Sequence, residues 1–381
     1  MAKKIYLDYA AATPVAKEVV TVMSPLLSKH FANPSSIHAL GEEANELVDS
    51  ARNKIAKLLA CQSQEIFFTS SGSESINLAI QGIARTQEAG HIITSSVEHA
   101  ATLQCCRWLE AQGYSVTYLD PDHTGKITAS KVQAAIQENT ILVSLMYVNN
   151  EVGTIDQVAK IAKVTHNFKI PFHLDACQAA NYCSVNIKEL GVDLMTVNAS
   201  KLYGPKGAAL LYKKSNLTLK PLIFGGKQEF SLRAGTLNLP AIVGFAKALE
   251  ISEQKKTREK ERLTLLRDDL ITELLKLPDA YLNGHKQDRV ANNINISFLG
   301  VDSETLVLAL SAQGIFVSSG SACSQGIVKS SHVLEAMGFD KYRSQSSIRI
   351  SLGQETTIDD VKYISKIIKR TVGSLRKVNG I

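Results

Sequence analysis

The stretch FHLDACQAANYCSVNIKELGVDLMTVNASKLYGPKGAALLYK, residues 172–213, decides the fold. It holds three short β-prone runs, FHLDA, DLMTV and AALLY, that are apolar along most of their length. Strands of that kind are buried on both faces, which implies a mainly parallel sheet covered by helices. In such sheets ligands bind outside the carboxyl ends of the strands. Asp175 stands at the end of the first run, and Lys201 follows the second, ahead of Gly204-Pro205. An acid and a primary amine are therefore expected on the ligand-binding edge.

The same alternation extends upstream. IFFTSS (66–71), HIIT (91–94), SVTYL (115–119) and ILVSLMYV (141–148) read as strands. GSESINLAIQGIA and AATLQCCRWLEAQG read as helices, the second ended by Gly113. Over residues 36–60, Leu40, Ala44, Leu47, Val48, Ala51, Ile55, Leu58 and Leu59 fall on one helical face, with Ser35 or Ser36 available as its cap. Downstream, a charged helical stretch spans about 241–277. NNINISFL, IFVSSGSA and SIRISL then alternate with helices, as in a smaller α+β unit. The expected organisation is an α/β large domain over 14–258, with 1–13 and 259–381 forming the small domain.

Composition narrows the function. The 381 residues carry a formal charge of +6, with 45% hydrophobic and 20% charged residues, as in ordinary globular proteins. No dense basic run is interleaved with aromatics, so direct nucleic-acid binding is not expected. No apolar run approaches the ~20 residues needed to span a bilayer, and the N-terminus has no signal-peptide pattern, so a cytoplasmic protein is expected. The six cysteines are scattered without CxxC spacing, which points to neither a metal site nor a disulfide framework.

Several residues carry possible chemistry. A pyridoxal-phosphate site needs a lysine for covalent attachment and an acid to hold the pyridine nitrogen protonated; Lys201 and Asp175 meet both needs. Gly72 and Ser73 open a helix after a strand, where backbone N–H groups and the helix dipole suit a phosphate or simply an ordinary cap. His99 starts a helix at another strand end, as a structural residue or as one that stacks on a ring and moves protons. Asn150, in MYVNNEVG, offers an amide. The guanidinium of Arg349 suits a substrate carboxylate or a salt bridge. Cys323, in FVSSGSACSQG, sits among small residues where a stabilised thiolate is a nucleophile.

Taken together, YLDYAAATP, NPSSIH, FTSSGSES, VEHAA, VNNEVG, HLDACQ, SKLYGPKG, LRAGT, SSGSACS and SSIRISLG resemble the NifS/IscS-like cysteine desulfurases, fold-type I pyridoxal-phosphate enzymes, over nearly the whole chain. The resemblance implies a seven-stranded-type sheet and the conversion of L-cysteine to L-alanine. Sulfur would be held as a persulfide on Cys323 for an acceptor in iron–sulfur cluster assembly or tRNA thiolation. By the same resemblance, Lys201 is the Schiff-base lysine, Asp175 the pyridine partner and Gln178 the partner of the ring hydroxyl. His99 is the stacking and proton-moving residue, Gly72 and Ser73 hold phosphate, and Asn150 and Arg349 face the substrate carboxylate. Thr236 reaches the phosphate of a neighbouring subunit, which implies a homodimer. Three departures stand out. Asn198-Ala199-Ser200 replaces the usual Ser-Gly/Ala-His before the lysine, leaving Asn198 and Ser200 as the phosphate donors. Lys227, Phe230 and Ser231 replace a glycine, an arginine and a glycine. A tail used by some IscS proteins to dock a scaffold is not expected after the last helix. The alternatives are a selenocysteine lyase or other enzyme on this cofactor, and a catalytically silent dimeric partner.

Overall fold

The computed structural model describes residues 3–319 and 330–380. Seven strands form the central sheet: β1 (Ile66–Thr69), β2 (His91–Ser95), β3 (Ser115–Leu119), β4 (Thr140–Met146), β5 (Phe172–Asp175), β6 (Leu194–Asn198) and β7 (Ala209–Lys213). Their spatial order is β1-β7-β6-β5-β4-β2-β3. The β2–β3, β2–β4, β4–β5 and β5–β6 pairs are parallel, whereas β7 runs antiparallel to both β1 and β6. The mainly parallel sheet read from the apolar runs is thus present. Residues of β1, β2 and β5 are buried throughout, as strands covered on both faces must be.

Helix α1 (Ala39–Leu59) buries Ala44, Val48, Ala51, Arg52, Ile55, Ala56 and Leu59. Two details differ from the sequence reading. Leu40 is exposed, and the cap is His38, whose ring nitrogen accepts from Gly41 N–H. Ser35 and Ser36 are already committed to a turn in which Asn33 accepts both backbone N–H groups, one on its side chain and one on its carbonyl. Helices α2 (Gly72–Ala84) and α3 (Ala100–Ala111) follow strands β1 and β2 directly. Gly113, at φ 95°, ends α3 as expected.

Helix α4 (Leu239–Leu274) runs unbroken through residue 258. Its two halves each bury an apolar face, Leu239 to Ser252 and Leu263 to Leu274, with no buried residue between. Both faces belong to one continuous hydrophobic core, so the rod ties the two sheets' surroundings together. Beyond it, β8 (Ala280–Asn283), β9 (Asn293–Phe298), β10 (Ser318–Ser319) and β11 (Ser347–Ser351) form a second sheet in the order β10-β11-β9-β8, antiparallel throughout. The edge strand β8, half-exposed, shows no apolar run in the sequence. The N-terminal strand Ile5–Tyr6 pairs with Ile315–Phe316, and Asp8 bridges Ser351, so the first residues pack with this second unit.

The segment before LRAGT holds an uncommon turn. Glu229, Phe230 and Ser231 all have positive φ, 47°, 53° and 66°, without a glycine among them. Left-handed backbone costs an L-residue roughly 1–2 kcal/mol. The offset is a buried ion pair: Arg52 donates to both Glu229 oxygens at 2.9 and 2.5 Å, and Phe68 N–H donates to one of them at 2.6 Å. The guanidinium also lies 4.6 Å from the Phe68 ring centroid. Removing one partner of such a pair leaves a buried uncompensated charge. Glu229→Ala is therefore expected to lower stability by about 3–5 kcal/mol, read by urea denaturation. A loss under about 1 kcal/mol would show that water solvates Arg52 in the variant.

Candidate active site

A cavity of about 860 Å³ opens at the carboxyl ends of the parallel strands. Gly72, Ser73, His99, Asn150, Asp175, Gln178, Asn198, Lys201 and Arg349 all line it. Ser200 and Thr236 are not among its lining residues, and Cys323 lies outside the described residues.

Each position follows from local structure. Asp175 is the last residue of β5, and its carboxylate accepts Cys177 N–H at 2.9 Å. Gln178 donates to the Ala10 carbonyl at 2.9 Å. Asn198 ends β6, and its side-chain oxygen accepts Ser200 N–H at 3.0 Å. This bond starts the single 3-10 turn Ala199–Lys201 that carries the lysine. Lys201 Nζ donates to the Ala11 carbonyl. The Ser200 carbonyl accepts from Thr13 Oγ1 at 3.0 Å, which ties the turn to the YLDYAAATP segment.

The first turn of α2 forms another wall. Ser71 caps it by accepting Glu74 N–H at 3.1 Å. Gly72 and Ser73, the first residues of the helix, border the cavity, where first-turn N–H groups and the dipole suit an anion. A Cβ on Gly72 would come within 2.9 Å of Cys177 Sγ, so any larger residue there would have to displace that thiol. Glu74 is held by Arg233 at 2.8 Å, which draws the LRAGT segment alongside.

His99 is the N-cap of α3, and its Nδ1 accepts Ala101 N–H at 3.1 Å. The neutral ring therefore carries its proton on Nε2. Burial pushes the imidazole below its ordinary value; Asp175 opposes this, while Lys201 and His332 add to it.

Arg349, on β11 and 5% exposed, pairs with Asp8 at 2.8 Å and donates to the Asn150 carbonyl at 3.1 Å. Its Nε is buried without a partner. A buried donor lacking an acceptor is costly, and in a cavity-lining residue it is suited to a carboxylate oxygen.

Four further contributors lie within the motifs, where no sequence signal marks their role: Asp8 in YLDYAAATP, Glu98 in VEHAA, Glu151 in VNNEVG and Cys177 in HLDACQ. His332 also lines the cavity, and no sequence signal marks it. Glu98 is 1% exposed, and one carboxyl oxygen accepts from Ser95 Oγ at 2.6 Å and Met146 N–H at 3.1 Å while the other has no partner. Burial pushes its carboxyl up from 4.5 to about 8. Because the folded value lies above the unfolded one, folding favours the neutral acid, and stability is lost as pH rises from about 4.5 to about 8. A glutamine keeps the accepting oxygen and never ionises. Glu98→Gln is expected to gain on the order of 3 kcal/mol over the parent at pH 9, with the gain gone below pH 4. Thermal denaturation across that range reads it, and a gain that does not vary with pH would contradict the assignment.

An acid at one strand end, an amine beyond the next and a helix N-terminus beside them, all on one mainly parallel sheet, define a site of the fold-type I kind. The model of the aminotransferase class-V family matches residues 5–364, and the chain belongs to that family. It is 44% identical over 382 aligned positions to the cysteine desulfurase IscS of Dictyoglomus turgidum, covering all of this chain and 97% of that one. It is 42% identical to the IscS of Methanosarcina thermophila, covering 99% and 94% of the two chains. Among solved structures it resembles a NifS-like protein at TM-score 0.92 and 34% identity, covering 98% and 100% of the two chains. It also resembles SspA, solved in complex with cysteine, at TM-score 0.82 and 37% identity, covering 92% and 99%. Among the described residues no helix is long and apolar enough to cross a membrane.

Proposed function

We propose that the chain is a pyridoxal-phosphate-dependent cysteine desulfurase that converts L-cysteine to L-alanine and holds the sulfur as a persulfide on Cys323. The observation that carries this reading is the meeting, in one cavity, of Lys201, Asp175, the α2 N-terminus and Arg349. These residues fit the cofactor. Lys201 would hold it covalently, Asp175 would keep the pyridine nitrogen protonated and Gln178 would bond the ring hydroxyl. Gly72, Ser73 and Asn198 would receive the phosphate, and His99 would lie against the ring; Ser200, off the cavity wall, would hold the turn that carries Lys201.

Bound pyridoxal phosphate supplies an electron sink for the pair released when the substrate loses its α-proton. The other steps belong to the chain. Arg349 and Asn150 orient the substrate carboxylate. Lys201 takes the α-proton, and His99, with Nε2–H on the cavity side of a neutral ring, moves protons near the substrate. The Cys323 thiolate attacks the substrate sulfur; an S–S bond forms, the substrate Cβ–S bond breaks, and protons return to carbon. The products are alanine and a Cys323 persulfide, so atoms and electrons balance without a further oxidant. The persulfide then passes to a cytoplasmic acceptor, a scaffold of iron–sulfur assembly or a tRNA-thiolation enzyme. Incubation with L-cysteine should yield alanine and persulfide in equal amounts and no amino transfer to a keto acid. Amino transfer without sulfur release would overturn the reading.

The functional unit is a homodimer. Thr236 is exposed and apart from the cavity of its own chain, as suits a residue that reaches a neighbouring phosphate. Phe224 and Phe230, 74% and 59% exposed, flank the same segment. Sedimentation should give a dimer, and Thr236→Ala should loosen the cofactor; a monomer that retains cofactor tightly would contradict this.

A further inference from the structure

Asp8 is not among the residues that line the cavity, yet it bonds Arg349, which is. Its carboxylate accepts from one terminal guanidinium nitrogen at 2.8 Å, and the Asn150 carbonyl accepts from the other at 3.1 Å. Two acceptors therefore fix the plane of the fork that a substrate carboxylate would meet.

Asp8 itself is tied down on the strand that carries its arginine. It bridges Ser351, two residues beyond Arg349 on β11. Ser351 N–H donates to the Leu7 carbonyl at 2.7 Å, and Ala10 N–H donates to Ser351 Oγ at 2.9 Å. The Asp8 carbonyl accepts from the Tyr6 hydroxyl at 2.9 Å and from Ala11 N–H at 3.0 Å. The backbone is thus held before, at and after position 8. A carboxylate arriving from the cavity must share the guanidinium with Asp8, because Asp8 has no slack to withdraw.

An arginine keeps its charge in a protein without help. Asp8 is not needed to make Arg349 a cation; what it adds is a fixed negative charge close to any anion on the same guanidinium. Like charges at that range repel, and more strongly where water is scarce. Glu151 is the other acid on which Arg349 bears. It is buried, accepts Ser331 Oγ at 2.5 Å and lies 3.9 Å from His332 Nδ1, and burial pushes its carboxyl up, towards the neutral acid.

We propose that Asp8 is a positioning residue that acts through Arg349: it fixes the guanidinium in the cavity wall and at the same time weakens its hold on the α-carboxylate of substrate and product. The inference rests on the reading of Arg349 as the group that faces the substrate carboxylate. Alanine carries the same carboxylate as cysteine, so an arginine attenuated in this way orients the substrate and still releases the product.

Asp8→Asn keeps an accepting oxygen for the guanidinium and removes the charge. On the purified holoenzyme, the dissociation constant of L-alanine, read from the absorbance of the bound cofactor, should fall at least about three-fold. KM for L-cysteine should fall with it. Cysteamine, which is cysteine without its carboxylate, should bind variant and parent alike. Unchanged or weaker alanine binding in a folded Asp8→Asn overturns the proposal, and so does an equal gain for alanine and cysteamine. Arg349→Gln separates this from the reading beneath it. If that variant binds alanine as tightly as the parent, the assignment of Arg349 to the carboxylate has failed; if it binds alanine weakly while Asp8→Asn shows no gain, only the role of Asp8 has.

Discussion

Replacing Lys201 with alanine is expected to abolish turnover, by at least about 10³-fold, and to leave the purified protein without covalently held cofactor. Among the described residues Lys201 is the lysine that lines the cavity. It closes the 3-10 turn after β6, its Nζ donates to the Ala11 carbonyl, and its own carbonyl is held by Asn181 at 2.5 Å. Asn181 is in turn held by Ser252 at 2.9 Å, from α4. The backbone is fixed from two sides while the amine reaches into the cavity. Lys206 and Lys227 do not line that cavity. Borohydride reduction of the wild type followed by peptide mass spectrometry should place the cofactor on Lys201. Recovery on Lys206 or Lys227 would remove the assignment. Lys201→Ala should otherwise stay folded, because Asn198, Thr13 and Asn181 bind backbone atoms of the turn and not the lysine side chain.

What the sequence disclosed and what it hid divide along physical lines. The strands of the large sheet are apolar because both faces are buried, so β4, β5 and β6 stand out as runs, and their ends mark the ligand edge. Asp175, Lys201, His99 and Gly72 could be placed from that alone. The edge strand β8, half-exposed, has no such run. The pairing of Ile5–Tyr6 with Ile315–Phe316 spans nearly the whole chain, and no local pattern encodes it. The cap of α1 passed to His38 because a serine's capping value depends on whether a neighbour such as Asn33 has already claimed its backbone. Glu151 and Glu98 look in the sequence like ordinary surface acids. Only tertiary packing buries them and gives one a hydroxyl and an imidazole for neighbours. The Asp8–Arg349 pair joins residues at opposite ends of the chain, so the sequence offers the guanidinium but not its partner.

Cys323→Ser is expected to bind L-cysteine and lose its α-proton yet release alanine only at background, about 10²-fold or more below the parent. The five described cysteines argue for this by their surroundings. Burial pushes the Cys61 thiol up to about 12 and those of Cys105 and Cys183 up to about 11. Cys106 and Cys177 are driven up as well, again chiefly by burial. A nucleophile must be a thiolate, and none of these five is one near neutral pH. Cys177 is the strongest competitor, because it lines the cavity. Its backbone N–H is bound by Asp175, the Asp175 charge raises its thiol further, and its sulfur is packed against Gly72. It can neither ionise readily nor swing outward to an acceptor. Cys177→Ala should therefore keep most activity, whereas Cys323→Ser should not. Single-turnover alanine release, with persulfide mapping by mass spectrometry, distinguishes the two. Alanine release at near-parental rate by Cys323→Ser, or a persulfide found on Cys177, would mean that sulfur leaves the substrate by another route.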